Sequence, residues 1–161
     1  MQKKGFCFIF LFLFLVFLSV VVHAQSTSDN SSLQTLLQSK KYTFTAQYAQ
    51  PLSGRQIYLT TPYSVTVAND SLICDLPYYG VAYIAPADPS KNDFRFTSNH
   101  FDYNVSPGKK GRCIVSIQLK DRTAVQQMYL NVSRKGYATL QVTPTNKQAI
   151  SYYGKVEASK R

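Results

Sequence analysis

The sequence predicts a mainly β protein: a single antiparallel meander domain that closes as a barrel or packs as a sandwich, with one short N-terminal helix. After residue 40, apolar and polar residues alternate within most segments, which is the two-residue period of half-buried strands. Turn residues separate these segments at near-regular intervals. No helical period occurs between the last five segments, so neighbouring strands are expected to be antiparallel.

Residues 1–24 have the pattern of a cleavable signal peptide. Lys3 and Lys4 precede an almost wholly apolar run over residues 6–22, and cleavage is expected after Ala24. The alternative is a retained anchor, because this run approaches the roughly 17–25 residues that span a bilayer. The chain is therefore expected to be exported, either periplasmic or secreted, and not an integral membrane protein once the signal is removed. No cysteine lies near the cut, so a lipoprotein is not expected.

The mature chain is expected to form one domain. Residues 25–32 are rich in Ser and Asn and predict a polar tether, whereas residues 33–157 predict a single all-β domain. At its start, Leu33, Leu36 and Leu37 recur at helical spacing, which predicts a short helix that ends near residues 40–41. Residues 158–161 form a basic tail.

Roughly ten short strands are predicted after the helix. In the first of them, Tyr42, Phe44, Ala46 and Tyr48 share the apolar phase. A turn is predicted at residues 99–100, between two strands of the second half. The predicted strands cover residues 42–48, 57–59, 65–67, 72–76, 95–98, 101–105, 112–119, 127–132, 137–143 and 150–156.

The mature chain is strongly basic. Without Lys3 and Lys4, 16 basic residues remain against 8 acidic ones. This excess favours anionic envelope components as partners, and nucleic acid is not expected for an exported protein. In a meander, alternate connections lie at the same end, so residues 107–112 and 133–136 should bring five cations together as an anion-binding rim: Lys109, Lys110, Arg112, Arg134 and Lys135. The alternative is that they are solvated hairpin tips that keep the protein soluble.

Two cysteines remain in the mature chain, Cys74 and Cys113. Each lies on the apolar phase of its predicted strand, and an oxidising compartment favours a disulfide between an even pair. The alternative is two free buried thiols, because cysteine is often an ordinary small core residue.

A candidate ligand-binding surface lies where Pro77 and Gly80 flank two tyrosines. Pro77 restricts one φ angle and Gly80 permits a positive one, so Tyr78 and Tyr79 are expected at a corner. With the nearby Tyr83, they would offer apolar faces and hydroxyl tips to a small or glycan-like ligand. The alternative is that one ring plugs the end of the core and the other covers it.

The sequence predicts no catalytic residue, metal site or cofactor. His100 is the one histidine of the mature chain and lies in a predicted turn, which favours a solvated side chain. Neither a nucleophile-elbow motif nor a cysteine and histidine spacing typical of zinc occurs. A hydrolase that needs only two acids stays open, because separation in space is not visible in a sequence.

Three segments carry a family resemblance: residues 76–80 (LPYYG), 136–142 (GYATLQV) and 146–154 (NKQAISYYG). Together with the spacing from Pro51 to Gly80, they resemble the bacterial domain-of-unknown-function family 4251, small exported proteins of gut-type Gram-negative bacteria. The resemblance covers residues 33–157 and implies an exported β protein. The family has no established activity, so the resemblance implies no catalytic residue, and Cys74 and Cys113 are not part of its pattern.

Three functions are therefore weighed. The first is a non-catalytic binding module whose tyrosine-rich mouth takes an apolar or glycan-like ligand; an internal cavity near Tyr78, Tyr79 and Tyr83 would favour it. The second is a structural or interaction protein of the envelope, which a filled core with a positive charge at one end would favour. The third is a small hydrolase, which two acids facing each other in a cleft would favour.

Overall fold

The computed structural model describes residues 25–83, 93–121 and 124–159. The predicted signal peptide with its cleavage at Ala24 lies outside these residues, as do the last two residues of the basic tail. Within the described ranges, no helix has the length and apolar character needed to cross a membrane.

The described residues form one α-helix and nine strands. Helix α1 covers Gln25–Gln38, and a single 3-10 turn covers Lys109–Gly111. The strands are β1 (Lys41–Pro51), β2 (Ile57–Ala68), β3 (Ser71–Leu76), β4 (Phe94–Ser98), β5 (Phe101–Pro107), β6 (Cys113–Leu119), β7 (Val125–Val132), β8 (Tyr137–Pro144) and β9 (Ile150–Ala158).

The nine strands form one antiparallel sheet in the order β4-β3-β2-β1-β9-β8-β7-β6-β5. Strands β4 and β5 stand at opposite edges, yet only Asn99 and His100 join them. Because three residue steps span no more than about 11 Å, the two edges must meet, and the sheet curls into a nearly closed barrel. The prediction of a mainly β antiparallel meander is confirmed.

The closure reveals a bent strand. Each of the eight steps across the sheet reverses the strand direction, so β4 and β5 run the same way. They are two halves of one strand that bends at Asn99 and His100, and not the two arms of a hairpin that the sequence predicts. The His100 carbonyl accepts a hydrogen bond from the Lys120 amide (N···O 2.8 Å), which ties the bend to the end of β6.

Helix α1 covers one end of the barrel. Leu33 and Leu37 are buried in the same core as the inward residues of the strands. The Tyr103 hydroxyl donates a hydrogen bond to the Leu37 carbonyl (O···O 2.7 Å) and lies 3.2 Å from the Tyr42 hydroxyl. We call this the helix end; β1 begins here, and the connections β5–β6 and β7–β8 lie at the same end. The opposite end is the corner end.

The helix begins at Gln25 and therefore includes residues 25–32, for which the sequence predicts a polar tether. Serine and asparagine are weak helix formers in isolation. Once Leu33 and Leu37 are packed into the barrel, however, each further residue adds one hydrogen bond at little nucleation cost. Packing of the C-terminal half of α1 against the barrel thus accounts for a helix that local composition does not predict.

Buried tyrosines predict a loss of stability at alkaline pH. Burial raises the pKa of Tyr103 to about 12, and burial also raises the pKa values of Tyr42 and Tyr152. Unfolded tyrosines ionise near pH 10, so the folded state holds protons that the unfolded state releases. The stability that these protonated tyrosines contribute is complete below about pH 10 and is lost as the pH rises toward 12.

Each tyrosine that stays protonated should lower the free energy of unfolding by about 1.4 kcal/mol per pH unit in that window. Urea unfolding at steps from pH 8 to pH 12 measures this slope. Tyr103→Phe should make the dependence of the free energy of unfolding on pH shallower, by an amount that corresponds to nearly one bound proton. A slope that is unchanged in this variant would contradict a raised pKa for Tyr103.

Candidate functional site

The corner end is closed by residues 77–83, which cross it and pair with residues 146–148. The Tyr83 amide donates to the Asn146 carbonyl (2.9 Å), and the Gln148 amide donates to the Val81 carbonyl (3.0 Å). Ala82 and Lys147 form an isolated antiparallel bridge between these two hydrogen bonds. The predicted corner therefore exists, and it is held by backbone pairing.

Tyr78 is the plug of this end. Its hydroxyl lies within hydrogen-bonding distance of two carbonyl oxygens, those of Val81 (2.9 Å) and Gln148 (3.1 Å). Its ring meets Phe94 edge to face, with centroids 5.3 Å apart, and the Lys147 ammonium lies 4.8 Å from the Tyr78 centroid. Burial raises the pKa of Tyr78 and lowers that of Lys147. With 5% of its surface exposed, Tyr78 cannot offer a ring face to a ligand.

The three predicted ligand-binding tyrosines do not form one surface. Tyr79 and Tyr83 are exposed, whereas Tyr78 belongs to the core. The buried hydroxyl of Tyr152 donates to the Pro77 carbonyl (2.7 Å) and fixes the start of the corner from inside the barrel. Tyr78 therefore matches the alternative prediction, in which one ring fills the end of the core.

The helix end carries the predicted cations. The basic rim comprises Lys109, Lys110, Arg112, Arg134 and Lys135, which lie in the β5–β6 and β7–β8 connections at this end of the barrel. The Arg134 guanidinium packs where a side chain at Gly111 would stand, and Gly111 has a positive φ of 69°. Glycine is favoured at this φ, and it also leaves room for the Arg134 side chain. Gly111 therefore lets the β5–β6 connection pack closely against the β7–β8 connection.

The cations of the basic rim lack the ion pairs that neighbouring cations form with carboxylates in the described structure. At the same end, Lys40 lies 3.9 Å from Asp70 and Lys155 lies 3.0 Å from Glu157. Among the residues that the structure describes, no carboxylate lies within ion-pair distance of any rim cation. The positive charge of the rim is therefore left to solvent and to external anions.

A groove that the sequence does not predict lies beside the basic rim on the outer face of the sheet. It encloses about 300 Å3, and its lining includes three tyrosines, Tyr48, Tyr137 and Tyr153. Arg112 and Ser133 line it as well, so the groove and the rim share one cation. The alternation of apolar and polar residues in β8 and β9 predicts that Tyr137 and Tyr153 point outward. The alternation in β1 predicts instead that Tyr48 points inward.

The predicted disulfide between Cys74 and Cys113 is absent: both are free, buried thiols. Cys74 lies in the middle of β3, whereas Cys113 is the first residue of β6 at the helix end. Both side chains point into the core, as their positions in the alternation of apolar residues predict. They lie at different heights along the barrel, however, and β3 and β6 are not neighbours in the sheet. Burial raises the pKa of both thiols, which favours their protonated, unreactive form.

The histidine that the sequence singles out lies in the bend between β4 and β5. His100 is exposed there, and its backbone amide lies 3.4 Å from the Ser98 hydroxyl. Across the described ranges, no three His, Cys, Asp or Glu side chains are grouped so that they could hold a metal ion. In the described structure, the contacts of His100 are those of its backbone, which help to hold the bend.

Comparisons with known proteins agree with this architecture. The family model described as "Domain of unknown function (DUF4251)" matches residues 24–156. A crystal structure of a DUF4251 family protein from Bacteroides eggerthii is similar to this chain, with a TM-score of 0.57 and 15% sequence identity over 81% of this chain and 88% of that chain. At this identity the likeness concerns the fold alone. No curated protein matches the chain at a significant level.

Proposed function

Because the chain belongs to the DUF4251 family, a domain of unknown function, we propose its function from its own surface: a non-catalytic binding module, exported to the periplasm or secreted, that holds anionic polymers of the cell envelope on its basic rim. The observation that carries this proposal is the placement of Lys109, Lys110, Arg112, Arg134 and Lys135 at one end of the barrel without acidic partners among the described residues.

The filled barrel favours a surface site over an interior one. Tyr42, Phe44, Phe94 and Tyr152 are the bulkiest of the fully buried side chains, and they belong to one continuous core. With Tyr78 packed into the corner end, the tyrosine-rich mouth that an interior ligand would need is occupied by the protein itself. The envelope-interaction hypothesis therefore has more support than the interior-ligand hypothesis.

Electrostatics explain why clustering matters. Exposed charges within about one Debye length, roughly 8–10 Å at physiological salt, add their fields. A linear polyanion can contact several such cations at once and releases its own counterions as it does so. Cations that already pair with carboxylates, as Lys155 does with Glu157, contribute far less. The basic rim is thus the surface of the described chain best suited to a polyanion.

The double substitution Lys109→Glu and Lys110→Glu tests this proposal. We expect about tenfold weaker binding to linear polyphosphate at low salt, measured by isothermal titration calorimetry, because two attractions become repulsions. The control is Arg55→Glu with Lys120→Glu, which changes the net charge equally but lies at the corner end, where both residues are exposed. Lys120 lies 2.7 Å from Asp102, so this control also removes one ion pair, whereas its change in net charge is the same. This control should weaken binding less than twofold.

Equal losses in the two double variants would show that net charge alone drives binding, and this result would overturn the assignment to the basic rim. Unchanged binding in the Lys109 and Lys110 variant would overturn it as well. Both pairs are solvent-exposed, so neither substitution removes core packing. Circular dichroism of each variant checks that the barrel is folded before binding is compared.

A further inference from the structure

We propose that the groove lined by Tyr48, Tyr137, Tyr153 and Arg112 binds an acidic saccharide, with sugar rings stacked on the tyrosines and a uronate carboxylate paired with Arg112. This inference rests on the proposed function for the attraction of anionic polymers, and it adds the chemical class of the ligand. It also adds a second contact surface, since the groove lies on the outer face of the sheet beside the basic rim.

The groove is made by a β-bulge in β1. The pairing of β1 with β9 shifts register between Ala46 and Tyr48: Ala46 faces Gly154 and Tyr48 faces Tyr153, which leaves Gln47 as an extra residue. The pairing of β1 with β2 is interrupted at the same point, but there the additional residues, 59–62, lie on β2. Ala46 and Ala49 are buried, whereas Gln47 and Tyr48 are both exposed. Without the extra residue, the alternation that buries Tyr42, Phe44 and Ala46 would turn Tyr48 into the core. Bulges that re-aim a side chain in this way are frequent next to functional sites.

The bulge places Tyr48 against a second outward tyrosine. Tyr48 is the cross-strand neighbour of Tyr153 on β9, and Tyr153 is in turn the neighbour of Thr139 on β8. Tyr137 stands two residues before Thr139 on the same outward face and is 60% exposed. Tyrosine rings present an apolar face of the size of a pyranose and a hydroxyl that can bond to its rim. Three such rings around one groove suit a sugar chain.

An exposed polar side chain, Arg112, lines the groove within reach of a ligand. The Arg112 guanidinium lies 3.4 Å from the Asn131 side-chain oxygen and has no carboxylate partner among the described residues. The Ser133 hydroxyl is buried and has no hydrogen-bond partner in the described structure. Because this oxygen is shielded from solvent, it is not counted as a ligand contact, and the exposed Arg112 supplies the polar contact of the groove. A fork-shaped cation matches a carboxylate, which selects a uronate over a neutral sugar.

Cross-strand packing alone does not account for the arrangement. Tyr48 also meets Tyr58 edge to face, with ring centroids 5.3 Å apart, and such a pair stabilises a sheet by itself. Tyr137, however, faces Lys155 across the strands and has no aromatic cross-strand partner. Its ring is 60% exposed and lines the groove with Arg112, so its face is open for stacking on a sugar.

The test measures binding of hexagalacturonate by titration calorimetry to Tyr137→Ala, Tyr153→Ala and Arg112→Gln. We expect about tenfold weaker binding in each, because each removes one stacked ring or the charged partner. The matched control is Tyr129→Ala: Tyr129 is 39% exposed on β7, close to the 38% of Tyr153, and does not line the groove. This control should bind as the unmodified protein does, and Tyr137→Phe should retain most of the affinity.

Two further probes separate this inference from the proposed function. Polyphosphate, which carries charge without sugar rings, should lose affinity in the Lys109 and Lys110 variant but not in Tyr137→Ala. Neutral maltohexaose should bind at least tenfold more weakly than hexagalacturonate. Loss of polyphosphate binding to the rim variant, with hexagalacturonate binding unchanged in all three groove variants, would overturn the saccharide site alone.

A measurement on the unmodified protein guards against variants that fail to fold. Saturation-transfer difference NMR, with saturation of the tyrosine ring protons, should give its strongest signals from the ring protons of hexagalacturonate. Absence of transfer at a ligand concentration that saturates the calorimetric titration would contradict stacking on the tyrosines.

Discussion

Tyr78→Ala is expected to lower the free energy of unfolding by about 3–5 kcal/mol, whereas Tyr79→Ala is expected to change it by less than about 1 kcal/mol. The two tyrosines are adjacent, but only Tyr78 is buried. Truncation of Tyr78 removes its packing against Phe94 and leaves the Val81 and Gln148 carbonyls without their hydroxyl donor. Urea unfolding followed by circular dichroism measures both effects.

Tyr78→Phe separates the two contributions of this side chain. The ring stays in place against Phe94, and only the hydroxyl is lost, so we expect about 1–2 kcal/mol of destabilisation. Similar losses for Tyr78→Ala and Tyr79→Ala would contradict the role of Tyr78 as a plug. A variant Tyr78→Ala that keeps full stability would point instead to an open mouth at the corner end, as the interior-ligand hypothesis requires.

The strands could be predicted because one face of each is buried. Alternation in Cys113–Leu119 and in Tyr137–Pro144 carries the information directly, and the structure buries the expected side chains in both. Barrel closure could not be predicted, since it depends on β4 and β5 being one bent strand. Asn99 and His100 have the composition of a turn, and no local property distinguishes a reversal from a bend.

Of the two candidate sites, the basic rim could be predicted from the sequence and the groove could not. The basic rim follows from topology: connections that alternate in a meander lie at one end, so Lys109 and Arg134 could be placed together without coordinates. The groove could not be placed, because the bulge at Gln47 turns Tyr48 outward against the alternation of its strand. Depth along a strand is equally hidden, which is why an apolar phase shared by Cys74 and Cys113 did not imply a bond.

Gly154→Ala is the second substitution with a large expected effect. A methyl group at this position would overlap the Thr45 carbonyl oxygen, a backbone atom that cannot rotate away, so β1 and β9 would have to move apart. These strands pair along almost their whole length, from Tyr42 with Ala158 to Pro51 with Ile150. We expect destabilisation of about 3 kcal/mol, the upper part of the range for overpacked sites, measured by urea unfolding.

Gly108→Ala is the matched control, because Gly108 has an extended backbone (φ −105°) and a methyl there would meet the Ile114 side chain at 3.2 Å. That side chain can shift, so the cost should stay below about 1 kcal/mol. Gly154 also lines the groove together with Tyr48 and Tyr153. Any Gly154→Ala protein that folds should therefore bind hexagalacturonate more weakly than Gly108→Ala does. Equal stability and equal binding in the two variants would contradict both the tight β1–β9 contact and the groove that depends on it.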